Sequence, residues 1–119
     1  MGEKGAMKQI KAIVQPFRLS AIVAALQQIP DLPGITVFDV RGFGRQRARS
    51  TPDSIEDEGV LYARKVQMEL VVPERLVDEV IRTIRESAHT GNSGDGKIFA
   101  NSLDEVIRIR SGERGEDAL

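Results

Sequence analysis

The chain has 119 residues, of which 40% are hydrophobic and 29% are charged, and its net charge is −1. This length and composition are typical of one globular domain, and the near-neutral charge lacks the basic excess of a nucleic-acid-binding protein. The absence of cysteine excludes a disulfide scaffold and thiolate chemistry. No apolar run approaches the roughly 18 residues of a membrane span, so we expect a cytoplasmic protein without direct membrane insertion.

The hydrophobic pattern predicts four strands and two helices in the order strand–helix–strand–strand–helix–strand. Residues 1–6 are expected to be a loose N-terminal extension, and 7–119 a single domain. Alternating or β-branched residues predict strands, and apolar residues at helical spacing predict helices. The strands are predicted at 8–14, 35–41, 66–72 and 106–110, and the helices at 19–29 and 76–88.

This order is that of the α+β ferredoxin-like βαββαβ sandwich, in which both helices cover one face of the sheet. The opposite face would carry Phe38, Val40 and Val71, which are too apolar to be left in water. We therefore expect the chain to associate with further copies through this face.

Between predicted strands 2 and 3, residues 44–62 show no periodicity. Arg45, Arg47 and Arg49 stand at the beginning of this segment, and the acidic run 56–58 stands near its middle. A structureless run of about 20 residues in a compact domain is either functional or disordered. We expect a flexible loop whose two charged parts make different contacts; a solvated insertion is the alternative.

A second loop, residues 89–97, is rich in glycine and ends in Lys97. Glycines allow a backbone to approach an anion closely, and a lysine ammonium can reach a phosphate. The loop is not a P-loop, because Ile98 replaces the Ser or Thr that holds magnesium and because the loop follows a predicted helix. A plain turn after that helix is the alternative interpretation.

Two arginines follow at alternating positions, Arg108 and Arg110, on one face of the last predicted strand. Guanidinium groups spaced in this way lie roughly 7 Å apart and can hold one polyanion. The alternative is a solvated strand face paired with Glu105 and Glu113. Together with the glycine loop, the arginines predict a phosphate site.

No catalytic constellation accompanies this site. The sequence has one histidine, His89, and no serine in a G-x-S-x-G turn. We therefore expect a binding module that moves a loop and not an enzyme; a slow ATPase is the enzymatic alternative.

Several motifs closely resemble those of the PII signal-transduction proteins. They are the stretches 90–91, 94–99 and 106–115, joined by 15–19 and 42–46 in the first half of the chain. The resemblance implies a homotrimer with the sheets facing inward and ATP or ADP in each inter-subunit cleft. It also implies names for three segments: the flexible T-loop (44–62), the glycine-rich B-loop (89–97) and the C-loop (108–119).

The resemblance further implies a role for each matching residue. Gln46 would join Mg²⁺ to the ATP phosphates and to 2-oxoglutarate, whose far carboxylate would meet Lys65. The T-loop would contact a partner transporter or metabolic enzyme. The remaining nucleotide-site residues would be Gly42, Gly44 and Arg45 along the phosphates, Thr36, Glu69 and Val71 around adenine and ribose, Gly94, Asp95, Gly96 and Lys97 as the phosphate cradle, and Arg108 and Arg110 from the neighbouring subunit.

The sequence departs from the family pattern in the T-loop, where Glu58 replaces the modifiable tyrosine and excludes uridylylation at that position. Because this loop selects the partner, two functional hypotheses remain open. One is a sensor of ATP, ADP and 2-oxoglutarate. The other is a sensor of an adenine nucleotide and another anion that controls a metal-efflux or other membrane transporter without a 2-oxoglutarate response.

Overall fold

The computed structural model describes residues 6–43 and 54–119. Five antiparallel strands and two helices follow one another along these residues, and short 3₁₀ turns lead into both helices. In chain order the elements are β1 (Met7–Val14), α1 (Leu19–Leu26), β2 (Thr36–Gly42), β3 (Ser54–Asp57), β4 (Val60–Pro73), α2 (Val77–Ala88) and β5 (Gly96–Leu103).

The strands form one sheet in the order β2–β4–β1–β5, and β3 pairs with the beginning of β4. The register places Ile10 opposite both Leu70 and Ala100. Non-consecutive strands are neighbours in this order, as in two βαβ halves laid side by side. The predicted ferredoxin-like α+β fold is confirmed.

The core lies between the sheet and the two helices. Alternate residues of β1 and β4 turn towards the helices and are buried, as the period of two requires. The helices contribute buried residues at intervals of four, which places them on one face. The core residues from these elements are Ile10, Ala12, Val14, Val66, Met68, Leu70 and Val72 of the sheet and Ile22, Leu26, Val80, Ile84 and Ala88 of the helices.

Within residues 6–43 and 54–119, no helix packs on the other side of the sheet, which we call the helix-free face. Phe38 lies opposite Gln67, and Phe99 lies opposite Lys11, so both rings belong to this face. Their exposed fractions are 41% and 48%. Val40 and Val71 share the face and are only partly buried. The predicted apolar character of this surface is therefore present in the folded chain.

Part of the predicted structureless segment is a hairpin. Strand β3 pairs with β4 from Ser54 opposite Ala63 to Asp57 opposite Val60. Glu58 and Gly59 join the strands with positive φ angles of 50° and 81°, as a two-residue hairpin turn requires. The expectation that 54–62 lack secondary structure was therefore wrong, and residues 44–53 lie outside the described residues.

Side chains at the end of strand β2 contact the hairpin, and the ring centre of Phe43 lies 5.9 Å from that of Tyr62. The Arg41 guanidinium lies 5.1 Å from the centre of the Tyr62 ring and also pairs with the Asp57 carboxylate at 3.1 Å. Such a cation–π contact is favourable at an exposed site. The sequence pattern missed the hairpin because its stability comes from these contacts and not from alternation.

The last strand was predicted in the wrong place. Residues 106–110 form no strand; the final strand is Gly96–Leu103. Gly112 and Gly115 have positive φ angles, and the backbone turns so that the Gly112 N–H donates to the Arg108 carbonyl. The alternation of isoleucine and arginine was therefore misleading. The Ala6 carbonyl accepts a hydrogen bond from the Glu74 N–H at 3.0 Å, and the other residues of the predicted extension, 1–5, lie outside the described residues.

At Gly96, strand β5 leaves no room for a side chain beside β1. The φ of this residue is +107°, and a Cβ atom placed there would lie 1.8 Å from the Ile13 carbonyl oxygen. No rotamer change relieves a clash with backbone. Only glycine therefore fits at this position.

We expect Gly96→Ala to lower the free energy of unfolding by at least about 3 kcal/mol, because it combines backbone strain with the clash. Gly112→Ala is the control, since Gly112 also has a positive φ but nothing lies within 4 Å of its added Cβ. That variant should lose only about 1 kcal/mol. Urea denaturation measures the free energy of unfolding of both variants. Equal losses would show that the contact between Gly96 and the Ile13 backbone does not restrict this position to glycine.

Candidate functional site

The glycine-rich loop connects the end of α2 to the beginning of β5, and one carboxylate organises it. Asp95 accepts hydrogen bonds from the Thr90 N–H at 2.7 Å, the Gly91 N–H at 2.9 Å and the Thr90 hydroxyl. The Gln15 side-chain amide donates a fourth hydrogen bond at 3.0 Å. Asp95 thereby closes the loop and ties it to the residue that follows β1.

These donors also fix the charge of the carboxylate. The hydrogen bonds from the Thr90 hydroxyl and the Thr90 N–H, with smaller help from Gly91 and Gln15, hold the pKa of the Asp95 carboxyl far below its usual range. Hydrogen bonds to the ionised form have this effect. Asp95 was predicted as part of the phosphate cradle, and its contacts show that it shapes the loop from within.

A partly buried ammonium lies against the loop on the side of β4. Lys65 Nζ donates to the Gly94 carbonyl oxygen at 2.7 Å. Burial lowers the pKa of Lys65, and the negative charge of Asp95 partly offsets that effect. A cation that has lost part of its hydration favours an anionic neighbour. Lys65 therefore supplies positive charge beside the glycine loop.

The predicted site residues on the strands share the helix-free face. Thr36 lies opposite Glu69 in the register of β2 and β4, and Lys97 of β5 lies opposite Ile13 of β1. Because side chains alternate along a strand, odd-numbered positions of β4 turn to one side. The structure thus collects on this face Thr36, Gly42, Lys65, Glu69, Val71 and Lys97.

Glu69 already has neighbours on this face. It accepts a hydrogen bond from the Gln67 side-chain amide at 2.9 Å and lies 4.0 Å from Lys11 Nζ. A carboxylate at this position suits hydroxyl groups of a sugar, which donate hydrogen bonds.

The two predicted arginines differ in their surroundings. Arg108 is partly buried and bonded to Glu113 and to the backbone of residues 118 and 119. The alternative prediction of a pair with Glu113 is therefore present, and Glu105 instead pairs with Arg114. Arg110 lies exposed in the turn that follows Arg108. The arginines do not stand side by side on a strand.

Three predicted residues, Gly44, Arg45 and Gln46, lie outside the described residues, and with them the predicted metal ligand. Within 6–43 and 54–119, no group of three or more histidine, aspartate or glutamate side chains is placed to hold a metal ion. Among the same residues, no helix has both the length and the apolar character needed to cross a bilayer.

Sequence reasoning missed Gln15 and Thr90 as supports of the site. The role of Gln15 follows from the strand register. Val14 lies opposite Gly96, so the residue after β1 must lie near the residue before β5. Thr90 was visible as a short polar side chain at the start of the loop, where such residues bond to nearby backbone and side chains.

Asp95→Asn should loosen the loop, because an amide cannot accept all four hydrogen bonds. A carboxyl whose folded pKa is lowered contributes stability above its unfolded pKa of about 3.9, and loses it as the pH falls through the folded value. We therefore expect the amide NMR shifts of Thr90 and Gly91 to stay constant down to about pH 4 and to change only below it. Asp104→Asn removes the same charge just beyond the other end of β5 and should leave both shifts unaltered. A midpoint near 3.9 would contradict the proposed clamp.

Comparison with known proteins agrees with this geometry. The family model described as nitrogen regulatory protein P-II matches residues 7–113. The chain is 45% identical over 113 residues to the nitrogen regulatory protein P-II of Rhodospirillum rubrum and 43% identical to that of Haemophilus influenzae; each match covers 95% of this chain and the whole of the relative. The crystal structure of Arabidopsis thaliana PII bound to citrate has 42% identity and a TM-score of 0.77, covering 97% of this chain and 94% of the plant chain. The chain belongs to the nitrogen regulatory protein P-II family.

Proposed function

We propose that this P-II protein binds ATP and ADP, the former with Mg²⁺, and passes the state of that site to a partner protein through residues 44–62. The observation that carries the proposal is the clamped glycine loop with Lys65 against it. Asp95 fixes the loop conformation in advance, so binding need not order it. Preformed loops with adjacent cations are anion sites.

The charge on the helix-free face supports a polyanion as ligand. Lys65 reaches the loop from β4, and Lys97 stands where the loop enters β5. Phosphate groups bind lysine ammonium groups and backbone N–H donors together. The plant relative binds citrate, which is itself a polyanion, and this supports an anion site within the family.

The adenine and ribose would lie towards β2. Thr36 and Glu69 form a cross-strand pair, and Val71 lies two residues farther along the same face. A carboxylate accepts hydrogen bonds from ribose hydroxyls, while a valine offers an apolar surface to a flat base. When bound, Mg²⁺ would neutralise phosphate charge, and Gln46 would be its ligand from this chain.

We propose that the functional unit is a homotrimer whose subunits share each site. Ile109 is fully exposed between Arg108 and Arg110, and Phe38 and Phe99 are nearly half exposed. A lone subunit would leave these side chains in water, which association avoids. The arginines would then meet the phosphates of a nucleotide held by the neighbouring subunit.

A second candidate function differs only in the ligand that binds in addition to the adenine nucleotide. The Lys65 ammonium already has the Gly94 carbonyl as its partner, so 2-oxoglutarate must displace that contact. A smaller or differently charged anion is then an alternative, in a protein that controls a metal-efflux or other transporter. Calorimetry with Mg²⁺-ATP separates the two, because only the first candidate gains affinity when 2-oxoglutarate is added.

Arg108→Ala should lower the affinity for ATP more than the affinity for AMP. A guanidinium at the terminal phosphates contributes about 1.5–3 kcal/mol to binding through charge-assisted bonds. Calorimetry measures both nucleotides. Arg82→Ala removes the same charge from the exposed side of α2 and should change neither affinity. Equal losses for ATP and AMP in Arg108→Ala would contradict its placement at the terminal phosphates.

Light scattering should give a mass of about three times 13.1 kDa, with and without nucleotide. Phe99→Asp places a charge on the helix-free face and should lower that mass. Ser102→Asp, on the opposite face of the same strand, is the control and should not change it. If the chain without substitutions were a monomer, the proposal that neighbouring subunits share each site would be wrong.

A further inference from the structure

The segment after β5 folds back on itself and ends against Arg108. The Arg108 N–H donates to the Glu113 carbonyl at 2.9 Å, and the Gly115 N–H donates to the Val106 carbonyl at 3.0 Å. These bonds bring residues 113–119, which we call the clasp, beside the arginine side chain.

The clasp occupies the donors of the Arg108 guanidinium. Nε donates to the Ala118 carbonyl at 3.3 Å and Nη2 to a main-chain oxygen of Leu119 at 2.5 Å, while Nη1 pairs with the Glu113 carboxylate at 3.3 Å. Nε–H and Nη2–H form the edge with which arginine binds a phosphate or carboxylate in bidentate fashion. Two main-chain oxygens therefore stand where two oxygens of an anion would stand.

Glu113 adds the negative charge that such a mimic needs. Its carboxylate accepts a hydrogen bond from the Ser111 hydroxyl at 2.8 Å as well as pairing with Arg108. A guanidinium has five N–H donors, and each of its three nitrogens is already bonded within the clasp. An incoming phosphate must displace the main-chain oxygens of residues 118 and 119 to bind the Nε–H and Nη2–H edge of Arg108 through two bonds.

A second ion pair holds the clasp from outside. Glu116 bonds to Arg75, at the entrance to α2, at 2.6 Å. This hydrogen bond raises the pKa of Arg75 and lowers that of Glu116. Because neither side chain touches Arg108, the strength of the clasp can be changed without altering the arginine or its direct partners.

We propose that the clasp is an internal competitor for the anion that Arg108 binds. This inference rests on the proposed function and specifies how its site is regulated. The ligand is the terminal part of a polyphosphate, which has enough oxygens and charge to replace two main-chain oxygens and the Glu113 carboxylate. Its binding frees residues 113–119 from Arg108, so occupancy of the site is reported at the C-terminal segment as well as at the T-loop.

Calorimetry of the full chain with ATP and with adenosine tests this inference in three variants. Glu116→Gln removes the anchor, Glu113→Gln removes the charged partner, and Glu105→Gln is the control. The control breaks the Glu105–Arg114 pair and removes one negative charge, as the other two variants do. It leaves the Arg108 contacts intact. We expect the first two variants to bind ATP about two- to fivefold more tightly, the range for partly exposed ion pairs. Adenosine affinity should be unchanged in all three, because adenosine has no phosphate.

The NMR signal of the Arg108 Nε–H gives an independent readout. It should shift when ATP is added and stay in place with adenosine, because only the phosphates displace the Ala118 carbonyl. A gain in ATP affinity that is equal in all three variants would reflect net charge alone and overturn the inference. Unchanged ATP affinity in Glu113→Gln and Glu116→Gln would overturn it while leaving nucleotide binding intact. If the unmodified chain bound no ATP, the proposed function itself would fail and the inference with it.

Discussion

The Asp95 carboxylate is the interaction on which the site depends. It accepts two backbone N–H groups, a hydroxyl and a side-chain amide, and so gives a glycine-rich loop one conformation. Gly96 follows at once and brings the backbone against Ile13, which fixes where β5 begins. The glycine-rich loop is thereby tied to β1, a central strand of the sheet, and to the residue that follows it. Here the conformational freedom of glycine allows the backbone at Gly96 to approach Ile13 closely.

The helix-free face turns this rigid loop into a site. Alternation along β2, β4 and β5 places Thr36, Lys65 and Lys97 on the same side as the exposed rings of Phe38 and Phe99. The same face therefore carries polar groups suited to a nucleotide and apolar groups suited to another subunit. In our proposal these two properties are linked, because the arginines that complete each site come from the neighbouring subunit. One of them, Arg108, is bonded to the clasp before the nucleotide binds.

Much of the fold could be predicted from sequence because burial leaves a periodic pattern. Strand β1 and helix α2 each bury one face, and their apolar spacing shows it. Strand β5 was missed because it is an edge strand with exposed polar residues such as Asn101. Residues 106–110 alternate more regularly, but glycine-dependent turns and side-chain bonds decide their conformation. Resemblance identified Lys65, whereas the Gln15 contact with Asp95 depends on strand register and could not be predicted.

Hydrogen exchange measured by mass spectrometry shows whether the clamped glycine loop holds the phosphates of a nucleotide. The full chain is compared in the presence of Mg²⁺-ATP, adenosine and buffer alone. We predict slower exchange across 90–97 with ATP and little change there with adenosine. Slower exchange confined to other parts of the sheet, or equal protection of 90–97 by ATP and adenosine, would contradict it.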